Sequence, residues 1–171
     1  MSSSVPTIQQ FSWTGILLQL ITIAILSLGF YFIGIGRNLE GINGILISII
    51  CGAAVQLILW LIINNTYAKF HNHGMDLVKQ EKYADAIPFF VKSYENFLEH
   101  AWVDKYRHIF AHNSKMTYKE MDLNNIAFCY AQIGEKEKSI EYYKRLLSEY
   151  PNNGLAKAAL NMIETMTGNC K

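Results

Sequence analysis

Charge is nearly missing from the first 63 residues, where Arg37 and Glu40 are the only ionic side chains; every other Lys, Arg, Asp and Glu follows them. A stretch that polar-poor cannot supply the outer face of a water-soluble domain. Over the whole chain Lys+Arg 15 balance Asp+Glu 14 to a net +1, so the electrostatic footprint of a nucleic-acid-binding protein is lacking. Cysteine is sparse too. Cys51, Cys129 and Cys170 are far apart and match neither a metal nor a redox spacing, which predicts unpaired thiols in a reducing compartment. The Ser-rich tail 1–10 has no Lys or Arg, so it lacks the basic start of a signal peptide and is expected to be retained.

What fills the charge-poor region is hydrocarbon. Residues 11–35 and 42–63 are two apolar runs, and about 20 residues at roughly 1.5 Å rise cross a bilayer core of about 30 Å. Aromatic residues stand at both ends of the first run, Phe11 and Trp13 against Phe30, Tyr31 and Phe32, as interfacial anchors do. Gly34, Gly36 and Gly41 bracket a short polar turn, so the two runs predict an antiparallel transmembrane hairpin. The turn carries Arg37 alone, whereas Lys69, Lys79 and Lys82 follow the second run, which puts both termini on the cytoplasmic side. The Asn64-Asn65-Thr66 acceptor sequence then lies on the wrong side for glycosylation and against the bilayer.

Within the hairpin, Gly44, Ser48, Gly52 and Gln56 recur every four residues, the spacing that lets helix backbones approach closely in lipid. Gln19 and Gln56 fall at similar depth, within reach of a hydrogen bond to each other that would tie the hairpin together, or lining a path between protomers. Neither Pro nor Gly appears between Ile63 and Gly74, which predicts a second span running almost continuously into the next helix, or broken slightly at Asn64 and Asn65.

Residues 64–171 change to helical periodicity. Helices are expected over 84–100 with Pro88 near the first turn, over the stripe Trp102, Tyr106 and Phe110, which reads as core with a binding arm as the alternative, and from a Thr117–Glu120 capping box to a stop at Gly134. Another runs to Pro151, and Asn152 or Asn153 caps a last helix over 154–166.

Leu123, Ile126, Ala127 and Tyr130, followed by Gly134, Ser139, Tyr143 and Pro151, resemble the tetratricopeptide repeat, a helix-turn-helix of about 34 residues. A fainter unit precedes it: Phe70, His73, Gly74 and Leu77, then the turn from Lys79 to Ile87, then Phe90. The resemblance implies an all-α fold, a right-handed stack of antiparallel helix pairs behind the hairpin. Its units fall over 67–100 and 120–153, with an insertion over 101–119 and a capping helix over 154–166. Small residues at Gly74, Ala86, Ala127 and Ser139 would let paired helices touch. It also implies a groove that captures a protein or peptide, lined by His71, Asn72, Met75 and Lys79 in the first unit. Asn124, Asn125, Phe128 and Gln132 line it in the second. His71 and Met75 stand where carboxylate-gripping relatives have a Lys and an Asn, so a free C-terminal carboxylate is not the expected ligand.

Chemistry has no motif. His108 and His112 are four apart but no Glu follows His108, these histidines and His71 and His73 are expected to be solvated or interfacial, and Asp104 can pair with His108 without a nucleophile beside them. No enzyme, cofactor or metal is expected. The chain reads as a membrane-anchored adaptor. The alternative is a subunit of a membrane complex whose hairpin forms homo-oligomers.

Overall fold

A computed structural model describes residues 12–33, 42–110 and 114–168, so the tail, the polar turn, His112 and Cys170 lie outside the described residues. Among the described residues the fold is all-α, with eight helices. The chain divides into two compact units, one holding Thr7–Thr66 and Lys105–Lys115, the other Tyr67–Asp104 and Met116–Lys171. The expected insertion is therefore not one piece: its middle belongs with the hairpin and its two ends with the repeat.

The hairpin unit pairs α1 (Trp13–Phe32) with α2 (Ile42–Thr66), at 20 and 25 residues both long and apolar enough to cross a membrane. Ser12 starts α1, its Oγ accepting the Gly15 N–H at 3.2 Å. The burial pattern is the reverse of a water-soluble core. Gly15, Ser27, Gly44, Ser48, Gly52 and Gln56 are buried, while Leu17, Ile25, Leu28, Ile50 and Ile58 are exposed. The serines turn their hydroxyls back on their own helices, Ser27 to the Ile23 carbonyl at 2.7 Å and Ser48 to that of Gly44 at 2.8 Å, and so present small surfaces. A Cβ on Gly52 would lie 2.6 Å from Ser27 Oγ and 3.0 Å from Ser27 N, so α1 and α2 approach too closely there for any larger residue.

Two expectations about Gln56 and the second span are corrected. The Gln56 side chain donates to the Ile109 carbonyl, and its Oε1 accepts no hydrogen bond among the described residues, so it takes none from Gln19. The helix after the second span is separate. α2 ends at Thr66 and α3 (Lys69–Lys79) begins after a bend at Tyr67 and Ala68, not at Asn64 and Asn65. The cause is remote in sequence: Asn96 Nδ2 donates to the Tyr67 carbonyl at 2.9 Å, and the Tyr67 ring packs edge-on against His100 and Trp102.

The repeat unit continues with α4 (Tyr83–Glu99), the short α5 (Ala101–Lys105), α6 (Tyr118–Gln132), α7 (Lys136–Glu149) and α8 (Gly154–Gly168). α3 packs on α4, α4 on α6, α6 on α7 and α7 on α8. Val78, Ala86, Phe90, Ile126 and Cys129 fill one part of the core, and Tyr94, Leu123, Tyr143, Leu146 and Leu160 the other. Gly74 is required by contact: a Cβ there would meet Phe90 Cε1 at 2.8 Å. The α3–α4 turn passes through Glu81 at φ 60° and the α6–α7 turn through Gly134 at φ 81°, positions separated by the same 53 residues as Phe70 and Leu123. The two turns therefore share one left-handed conformation, with Gly in only the second.

The aromatic stripe after α4 is also corrected. The helix stops at Lys105, and Trp102 and Tyr106 are about half exposed while Val103 takes the buried place. The Asp104 carboxylate accepts the Tyr118 N–H at 2.8 Å and the Lys119 N–H at 3.3 Å. Those are orphan donors of the first turn of α6, where negative charge also suits the helix dipole.

Candidate partner-binding face

α6 is the best-determined element of this face. Thr117 Oγ1 accepts the Glu120 N–H at 3.1 Å and Glu120 Oε2 accepts the Thr117 N–H at 3.4 Å, completing the capping box. Glu120 Oε1 takes a further bond from Asn153 Nδ2 at 2.8 Å, and Asn153 Oδ1 caps α8 by accepting the Ala156 N–H at 2.8 Å. The start of α6 is thus tied to α5 before it and α8 after it.

Side chains of α3, and Tyr83 at the start of α4, meet α6 along this face. Asn125 Nδ2 donates to Met75 Sδ at 3.3 Å, the Tyr83 ring stands edge-on to Phe128 at 5.8 Å, and His71 Nδ1 lies 2.6 Å from Asp122 Oδ1. Asn72, Met75, Asn124, Asn125 and Phe128 are half-buried, and Lys79 and Gln132 are exposed. Lys79 is held by Asp76 at 2.8 Å, and that ammonium keeps the Asp76 carboxyl below its ordinary value.

His71 departs from the expected groove. It is 8% exposed, its ring is flanked by Phe90 and Tyr118, and its nitrogen is spent on Asp122. It is neither solvated nor open to a peptide. Asp122 is fully buried, and burial pushes its carboxyl up, while the His71 imidazole opposes that rise. Burial also pushes the Cys129 thiol up to about 12, which leaves it an inert core group rather than a nucleophile. Tyr83 was missed by sequence reasoning as part of this face, although its place in the α3–α4 turn beside a repeat position gave a signal. Asp122 was missed as the partner of His71.

A short polar and aromatic strip results, with amide groups, a thioether and two rings, and without a cluster of like charge. Residues 121–153 match the tetratricopeptide repeat family. The match covers α6 from Met121 onward, its turn and α7, the part of the chain that holds Asn124, Asn125, Phe128 and Gln132. No curated protein and no solved structure matches this chain.

Proposed function

We propose that this chain is a membrane-anchored, non-enzymatic adaptor, whose hairpin fixes a tetratricopeptide-like unit at the cytoplasmic face, where it holds a protein or peptide. The observation that carries the reading is the pairing of a matched repeat with a helix hairpin whose large apolar side chains face outward. Tetratricopeptide repeats commonly serve protein–protein interaction. Exposed aliphatics over buried glycine and serine are what helix packing in lipid favours, since lipid offers apolar side chains no penalty. The strip from Asn72 and Met75 across to Asn125 and Phe128 is the face that receives the partner. Its mixed amide and ring chemistry suits an uncharged or amphipathic segment rather than a carboxylate terminus. Anchoring raises the local concentration of such a partner at the membrane without any new contact.

The test is copurification of the full chain from membranes in a mild detergent. Phe128→Ala combined with Asn125→Ala is expected to lose the copurifying chain and stay in the membrane fraction. A partner retained in full by that double variant overturns the assignment of the face.

A further inference from the structure

The segment that follows α5 carries chemistry which neither the repeat nor the hairpin uses. From Lys105 to Lys115 the sequence has Lys105, Arg107 and Lys115 and no Asp or Glu, and its described residues, 105–110 and 114–115, group with the hairpin helices. We propose that this segment is an anionic-lipid-binding wedge, with Ile109 and Tyr106 entering the acyl boundary and Lys105 and Lys115 holding headgroup phosphates. The inference rests on the membrane reading of the hairpin.

Depth is the first argument. The Ile109 carbonyl is fixed by Gln56, which is buried and lies seven residues before Ile63, the last apolar residue of α2. Seven residues are about 10 Å along a helix, near the roughly 5–10 Å to which interfacial segments bury their apolar face. Backbone at that depth must be satisfied, and here Ile109 N–H bonds to the Tyr106 carbonyl at 2.9 Å and Phe110 N–H to that of Arg107 at 3.1 Å.

The side chains are sorted as a bilayer edge requires. Ile109 and Tyr106 are exposed at 36% and 47%, although Gln56 beside the Ile109 carbonyl is sealed. Lys105 and Lys115 are exposed, and the Lys105 ammonium stands 5.5 Å over the Tyr106 ring. Arg107 Nη2 donates to the Lys115 carbonyl at 3.1 Å, which keeps the Lys115 backbone beside the Lys105–Phe110 stretch. An apolar tip between basic shoulders, continuous with a hairpin whose described spans have no ionic side chain, is complementary to anionic lipid. Each such cation strengthens attachment to an anionic surface roughly fivefold.

The experiment uses the full chain reconstituted in phosphatidylcholine vesicles with brominated acyl chains, with and without phosphatidylglycerol. Trp13, Trp60 and Trp102 are replaced by Phe, and a single reporter is introduced as Tyr106→Trp or as Leu57→Trp. Both reporters are expected to be quenched, position 106 more strongly with phosphatidylglycerol. Quenching at 57 without quenching at 106 overturns the wedge and leaves the anchor standing, whereas no quenching at 57 overturns the anchor and the wedge with it. A second measurement keeps all natural tryptophans: the ratio of phosphatidylglycerol to phosphatidylcholine retained after detergent extraction. Lys105→Gln with Lys115→Gln is expected to lower that ratio at least roughly fivefold; an unchanged ratio overturns the headgroup role.

Discussion

His71 and Asp122 are the residues on which the contact of α3 with α6 depends most heavily. A carboxylate with no exposure survives there because an imidazole faces it at 2.6 Å. Removing one member of a buried pair strands the other, so His71→Ala is expected to destabilise the repeat unit by about 3–5 kcal/mol at neutral pH. The sign with pH follows from the raised carboxyl of Asp122. A folded-state value above the unfolded one contributes stability that is complete below the ordinary carboxylate range and is lost as pH rises through the raised value. Without His71 that value climbs further, so the defect should shrink as pH falls toward the carboxylate range. Denaturant unfolding of the full chain in detergent at two pH values checks this, and an equal deficit at both contradicts it. The resemblance to the repeat put His71 on the open face, at a groove position of the first unit with Met75 and Lys79. Asp122 was legible in principle, lying four residues before buried Ile126 and beside Leu123. A carboxylate at a core position is simply what hydrophobic periodicity does not anticipate.

At the scale of helices and turns, the boundaries written in local chemistry were readable. Thr117 with Glu120, Gly134 before α7, Pro151 after it and Asn153 before α8 all act within a few residues of themselves. The stop of α2 at Thr66 and the short α5 were not readable, because Asn96 holds the Tyr67 carbonyl and Asp104 holds the N–H groups of Tyr118 and Lys119 across the fold. Thr117→Ala is expected to cost about 1 kcal/mol through loss of the α6 cap. The equivalent turns give a paired prediction. Gly134→Ala forces a side chain into φ 81° and should destabilise by about 1–2 kcal/mol, whereas Glu81→Gly relieves φ 60° and should stabilise by a fraction of that. Thermal unfolding of the two variants beside the natural chain decides it; a stabilising Gly134→Ala contradicts the shared turn geometry.

Across the whole molecule, the sequence changes character at its first cluster of charge, near the boundary between Thr66 and Tyr67 where the two compact units part. It did not reveal that 105–115 returns to the hairpin, since nothing local marks Ile109 as the partner of Gln56. The two units predict separable defects. Gly52→Leu drives a side chain into Ser27, where even a Cβ would lie at 2.6 Å, and is expected to part α1 from α2 while α3 to α8 keep their protease resistance. The most direct measurement is photo-crosslinking in intact membranes, with a benzophenone amino acid placed once at Phe128 and once at Ile25. The adaptor account predicts a protein adduct from position 128 and a lipid adduct from position 25. A lipid adduct at 128, or none at 25, would contradict it.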